Sequence, residues 1–282
     1  MGLIKGIDCV TRLTPKAAAK AKALGFDFVG RYLVPPGMYK EITRQEAEDI
    51  CAAGLNILCV WETTASRARE GAGAGGVDGA KALQCARAIE MPESGIIYFA
   101  VDYDAQPEDF PQIAEYLKAA RAQTGPYSVG VYGSYRVIEA MHIRGVCKGY
   151  WQCVAWSYGH LSSYKTVYQR EWSGGPEALK AKELLGFSVD INDCDDLDRA
   201  GIWNYQEERM TGKDILNKLS DAEAYALLEK AQRHAATLPI AADPKSRADY
   251  QAAVKAGITD GTAPMGIMSR WQGALMALRG KK

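Results

Sequence analysis

GIIYFAVDYD, residues 95–104, carries an unbroken apolar run from Ile96 to Val101 and then two aspartates at alternate positions, Asp102 and Asp104. A short apolar run bounded by glycine on one side and polar residues on the other reads as a β-strand. Outward from it, PEDFPQIAEYLKAARAQTG (107–125) follows as a helix, while LNILCVWET (55–63), FDFVGRYLV (26–34) and LIKGID (3–8) precede it as further strands. Two helices lie between these strands. Thr14 caps and Pro15 opens PKAAAKAKALG, a Thr43 to Glu46 capping box opens TRQEAEDICAAG, and both end in glycine. On the other side, YSVGVYGS (127–134), YWQCVAWSY (150–158), YKTVYQREW (164–172) and FSVDIN (187–192) complete eight strands, with a helix through Ile143 and short or missing helices after it. Strands that alternate with helices argue for a parallel sheet. Eight of them in about 200 residues favour an α/β fold of the (β/α)8 barrel type over residues 1–203, ahead of a doubly wound open sheet.

After Trp203 the character changes. Residues 204–282 hold helical segments and no strong strand, among them SDAEAYALLEKAQRHAATL with its Ser220 to Glu223 capping box. The charge divides as well, with 22 basic against 25 acidic residues in 1–204 and 12 against 9 in 205–282. A small all-helical C-terminal module is the expectation.

The whole chain of 282 residues is 48% hydrophobic and 24% charged, which is a globular composition and excludes wholesale disorder. Its 34 basic residues balance 34 acidic ones, so nucleic acid is not an expected partner. No apolar run reaches the ~18 to 20 residues that span a bilayer, and MGLIKGIDCV lacks a signal peptide's apolar core. A chain made in the cytoplasm, with no membrane insertion, is expected. Seven cysteines without CxxC pairs read as small buried thiols, and three histidines in no metal-ligand spacing call for neither metal nor organic cofactor. EGAGAGG (70–76) lacks the Lys-Ser/Thr of a phosphate loop and is expected to be a flexible rim loop. Ser134 lacks the elbow of a serine hydrolase.

In such a barrel the working side chains stand at the C-terminal ends of the strands. Asp8 ends the first strand, Glu62 the third, Asp102 and Asp104 the fourth, and Asp190 lies near the end of the eighth. Two apart on a strand, Asp102 and Asp104 would share one face, with carboxylates roughly 6 to 7 Å apart. Crowded carboxylates resist simultaneous ionisation, so one stays protonated as general acid while another serves as base or electrostatic stabiliser. Glycosidic cleavage needs such a pair. Any single aspartate after a strand is as readily a loop or helix cap, but four or five on one rim repel one another unless the cluster has a use. Tyr32, Trp61, Tyr132, Trp156, Tyr158 and Trp172 lie near strand ends, where aromatic faces can stack on sugar rings. Tyr103, between the two acids, is expected to point outward and pack under a helix.

GIDCVTRLT (6–14), FVGRYL (28–33), IIYFAVDYDA (96–105), VGVYGS (129–134), AWSY (155–158), YQREW (168–172) and VDINDCD (189–195) together resemble the glycoside-hydrolase-like family once labelled domain of unknown function 1906. That family is itself similar to the family-25 muramidases, barrel enzymes that cut peptidoglycan. The resemblance implies that Asp8, Asp102 and Asp190 match acids of those enzymes, and that Asp104 stands where they carry the proton-donating glutamate. A shorter side chain there would put the donor about 1 to 1.5 Å farther from the glycosidic oxygen, a misplacement that can cost ~10²-fold in rate. Three possibilities follow: an adjusted pocket, Glu62 as the acid, or a domain that binds glycan without cutting it. Asp104 is then the expected general acid and Asp102 the group that stabilises charge or orients the attacking group, with Asp8 and Asp190 positioning the sugar; Arg31, Tyr32, Trp61, Tyr132, Trp156 and Gln169 fall within or beside the resembling segments and are candidates for substrate binding. AVKAGITDGTAPMGIMSRWQGALMALR (253–279) is similar to modules at the ends of phage and bacterial cell-wall hydrolases, which implies wall binding or homo-oligomer formation. The function so implied is a peptidoglycan-directed glycosidase of the phage or prophage endolysin kind, reaching the wall after release. A catalytically silent wall-binding barrel and a barrel acting on some other sugar are the alternatives.

Overall fold

The computed structural model describes residues 3–205. The C-terminal helical module expected from residue 204 lies outside the described residues from 206 on.

The strands are β1 (Ile4–Asp8), β2 (Phe28–Tyr32), β3 (Asn56–Trp61), β4 (Ile96–Ala100), β5 (Ser128–Gly133), β6 (Gly149–Cys153), β7 (Val167–Glu171) and β8 (Asp190–Cys194). The helices are α1 (Pro15–Ala23), α2 (Arg44–Ala52), α3 (Gly71–Ala88), α4 (Phe110–Arg121), α5 (Tyr135–Ile143) and α6 (Pro176–Leu185). Thr14 and Thr43 accept from the backbone N–H groups of Ala17 and Glu46, so both N-caps form, but the expected capping box does not close, because the Glu46 carboxylate turns to Arg31 and the Leu13 N–H. The strands close into a barrel in sequence order.

β1 to β7 run parallel, but β8 is antiparallel to both β7 and β1. Asp8 faces Asp190 and Ile4 faces Cys194 across the β1–β8 seam. After β7 the chain passes through α6 and re-enters the sheet at the rim it had just left, so β8 runs down the barrel where the others run up. Asp190 therefore opens β8 instead of lying near its end. The reversal of direction returns it to the rim that carries Asp8.

Period-two alternation divides each strand between two cores. Phe28, Leu58, Val60, Ile96, Tyr98, Ala100, Trp151, Val167 and Cys194 fill the barrel interior. Val29, Ile57, Cys59, Trp61, Ile97, Phe99, Val131 and Ile191 point outward against the helices. Below, the segment after β8 closes the barrel: Ala200 and Ile202 enter the inner core, and Trp203 exchanges two backbone hydrogen bonds with Ile57 at 2.7 and 3.0 Å. The Asn204 side chain donates to the Leu55 carbonyl at 2.7 Å.

EGAGAGG is not a loop. From Gly71 onward its residues are the first turns of α3. A Cβ added at Gly75 would stand 2.0 Å from the Tyr116 carbonyl oxygen, and one at Gly79 would stand 2.4 Å from that of Ala120. The glycines let α3 lie against α4 backbone to backbone, a tertiary demand that overrides their poor helix propensity. All seven cysteines are free thiols. Among the described residues no helix is long and apolar enough to cross a membrane.

Candidate active site

Because the inner series of β2 to β5 and β7 continues one step past its last small or apolar residue, much of the barrel mouth is lined by polar side chains. Ala100 is followed by Asp102, Val60 by Glu62, Gly30 by Tyr32, Gly130 by Tyr132 and Val167 by Gln169. Asp8 and Asp190 end the facing columns of β1 and β8. Together with Val60 and Trp151 these residues surround a cleft of about 110 Å³.

A hydrogen-bonded chain fixes the floor. The Trp151 indole N–H donates to Asn192 Oδ1 at 2.8 Å, which turns the Asn192 amide nitrogen toward Asp8 Oδ2 at 2.7 Å. Gln169 Nε2 donates to Asp8 Oδ2 at 2.9 Å and to Asp190 Oδ2 at 3.0 Å, while its carbonyl oxygen accepts from the Tyr132 hydroxyl at 2.9 Å. Both amide hydrogens of Gln169 thus go to carboxylates, and those two carboxylates stand within two hydrogen-bond lengths of each other. The Trp151 ring is held edge-on by Tyr98 and Tyr132, at centroid distances of 5.9 and 5.2 Å. Across the cleft Lys40 Nζ pairs with Glu62 Oε1 at 2.9 Å and lies 4.4 Å from the centre of the Tyr32 ring.

Electrostatics follow from this crowding. Burial raises the Asp102 carboxyl to about 6, with Glu62 and Asp8 adding to the shift and Lys40 opposing it. Asp190 is raised to about 7, by burial first and then by Asp8, against a hydrogen bond from the Ser173 backbone. Burial raises Asp8 as well, opposed by its bonds from Gln169 and Asn192. At neutral pH the cluster therefore holds protons that isolated carboxyls would have lost. Among the described residues the Asp102 carboxyl has no hydrogen bond or ion pair. A half-buried, proton-retaining and unpaired acid in a cleft has the properties of a proton donor.

Four residues proposed from the sequence stand away from the cleft. Arg31, between the inward Gly30 and Tyr32, points outward and is fully buried; its guanidinium donates to Glu46 of α2 at 2.7 Å and to the Cys9 carbonyl at 2.5 Å. It is a paired interior charge, which is what makes its burial tolerable. Trp61 also points outward, 6.5 Å from Phe99 beneath the helices. Asp104 leaves the cleft because β4 ends at Ala100 and the chain turns at Tyr103, where Ala105 N–H donates to the Tyr103 carbonyl at 2.8 Å. The alternation that would have placed Asp104 beside Asp102 stops there, and Asp104 Oδ2 instead accepts from the Tyr158 hydroxyl at 3.0 Å. Tyr103 itself packs against the outer core with Arg69 over its ring at 4.1 Å. Trp156 lies half-buried in the loop after β6 and is not among the cleft-lining side chains.

That loop is unusual. Trp156 and Tyr158 both have positive φ, 54° and 50°, a conformation that costs a bulky L-residue about 1–3 kcal/mol. Buried polar groups below hold it in place: Ser157 Oγ donates to the Cys153 carbonyl at 2.6 Å and accepts from the Tyr135 N–H at 2.9 Å, and the Gln152 amide bonds the His160 carbonyl and the Ser162 N–H at 2.8 Å each.

Asn192, Lys40 and Trp151 belong to the site without having been singled out from the sequence. Asn192 had a signal, since it alternates with Asp190 in VDIND. Lys40 had none: it reaches the cleft from a loop whose path only the folded chain reveals. Among the described residues, no group of three or more His, Cys, Asp or Glu is placed to hold a metal ion.

Comparison with known proteins agrees with this architecture. The chain is 30% identical over 156 residues to the uncharacterized protein FadG of Bacillus subtilis, a match over 50% of this chain and only 27% of FadG. The Mycobacterium tuberculosis Tat-secreted protein Rv2525c, solved with L-tartrate, superposes on 72% of this chain and 100% of its own with a TM-score of 0.63 at 23% identity. An uncharacterized B. stearothermophilus protein superposes on 71% of this chain and 100% of its own with a TM-score of 0.51 at 18% identity. These two structures share the fold. Residues 19–183, more than half of the chain, match the family described as Rv2525c-like, glycoside hydrolase-like domain, and the chain belongs to that family.

Proposed function

We propose that this protein is a glycoside hydrolase acting on a bacterial cell-wall glycan, with Asp102 as the proton donor. The observation that carries the reading is the convergence of Asp8, Glu62, Asp102 and Asp190 on one cleft at the barrel mouth. Asp102, protonated below about pH 6, hands its proton to the glycosidic oxygen. As the C–O bond breaks, the charge that develops on the sugar ring is met by Glu62, whose pairing with Lys40 fixes its position, and a water attacks the anomeric carbon and gives its proton to the ionised member of the Asp8–Asp190 pair that Gln169 bridges. Asp8 and Asp190 position the sugar and supply the second carboxyl. Membership of a glycoside-hydrolase-like family supports the bond type. The motif resemblance to peptidoglycan-cutting muramidases supports the substrate, and a phage or bacterial lysin that meets its wall after release is the setting it suggests.

The test is release of reducing sugar from purified bacterial walls. Wild type and Asp104→Ala should both release product, and Asp102→Asn should lose at least ~10²-fold. Wild-type protein that adheres to walls and yields no soluble product would exclude the hydrolase. A second reading, glycan binding without cleavage, is favoured by one observation: the residue in the place of the muramidase proton donor, Asp104, is turned out of the cleft toward Tyr158. Adherence without product is the result it requires.

A further inference from the structure

We propose that the loop after β6 forms a second glycan-binding position beside the cleft, where the Tyr158 ring receives a neighbouring pyranose unit of a polysaccharide and Asp104 serves as the positioning residue that holds that ring. The proposal rests on reading the cleft as a glycan site and deepens it: the substrate is a polymer bound over more than one sugar. Tyr158 is 66% exposed, yet its side chain is fixed from two directions. Its hydroxyl donates to Asp104 Oδ2 at 3.0 Å, and the Arg136 guanidinium lies 5.5 Å from its ring centre. Arg136 also donates to Gln106 Oε1 at 3.0 Å, and Gln106 Nε2 donates to the Asp104 carbonyl at 3.0 Å, so the three supports form one closed network.

An exposed tyrosine ordinarily turns freely in water. Here the backbone is held in the left-handed region at both Trp156 and Tyr158, and the buried Gln152 and Ser157 hold the loop from below. Strain of this kind persists where the surroundings over-determine it, and it clusters at ligand sites. A fixed, open aromatic face offers the C–H face of a sugar ring a platform with little ordering cost. Asp104 follows Asp102 by two residues, at most about 7.6 Å of chain, so the acid and the support of the platform leave the same strand end.

The test uses the full chain with soluble N-acetylglucosamine oligomers of increasing length, affinity being read by calorimetry and wall cleavage measured in parallel. Wild-type affinity should rise with length. Tyr158→Ala should lose about 3- to 10-fold for long oligomers and nothing for the single sugar. Tyr158→Phe and Asp104→Ala should each give a smaller loss, with the double variant no worse than either, because both release the same ring. Asp102→Asn should abolish cleavage and keep the length dependence. Wild-type affinity that does not grow with length, or a Tyr158→Ala protein that binds long oligomers as wild type does, overturns the proposal. Length dependence that needs Tyr158 in a wild type that cuts no wall sustains it while removing the hydrolase.

Discussion

Asp102 keeps its proton to a higher pH than an isolated carboxyl because burial destabilises its charged form. Because its folded value, about 6, lies above the ordinary 3.8, the folded state binds the proton more tightly than the unfolded chain. Its contribution to stability is therefore complete below about 3.8 and is lost as pH rises through about 6. Asp102→Asn should accordingly raise unfolding free energy by about 1–3 kcal/mol at pH 8 and leave it nearly unchanged at pH 3.5, as denaturant titrations at the two pH values would show. In the wild type, wall cleavage should fall on the alkaline side with a midpoint near 6, measured as kcat/KM against pH. Gln169 has the opposite character, because its amide separates two carboxyls. Gln169→Ala should cost about 2–4 kcal/mol and drive the Asp8 carboxyl further upward, since it removes one of the hydrogen bonds that oppose its burial, which titration by NMR would register.

Among the elements, α3 offers a matched set of substitutions. Gly75→Ala and Gly79→Ala would drive a methyl into α4 backbone and should destabilise by about 1–3 kcal/mol. At Gly73 and Gly76 an added Cβ meets nothing within 4 Å, so alanine there should stabilise by about 0.5–1 kcal/mol. Thermal melts of the four single variants check the sign at each position. The same helix shows why part of the fold was hidden in the sequence. The eight strands and the Thr14 and Thr43 caps were legible, because apolar runs and capping residues act over a few neighbours. The glycines were misleading, since what holds them helical is α4, forty residues on. The direction of β8 was equally hidden, because a period-two pattern reads the same both ways. At the site, Asp8, Tyr32, Glu62, Asp102, Tyr132 and Gln169 were within reach of strand-end reasoning, whereas Asp190 stands on the same rim because it begins an antiparallel strand. Asp104, Arg31 and Trp61 were misplaced there by one turn of chain or one step of alternation.

For the barrel as a whole, the mouth and the base carry separate duties. The acids gather at the mouth, while Ala200, Ile202 and Trp203 seal the base. Trp203 is buried and bonded through its backbone to Ile57 at the entry of β3. Trp203→Ala should lower unfolding free energy by about 3–5 kcal/mol and leave glycan affinity at room temperature unchanged; a denaturant melt and a binding isotherm on the same sample test both halves. The antiparallel β8 bears on this division as well. With Ile4 beside Cys194, the entry to the first strand and the exit from the last sit together at the base, turned away from the acids. A tether grafted ahead of the first strand would leave the opening free, so the barrel could be fixed to a bead or joined to a carrier with its business end facing outward.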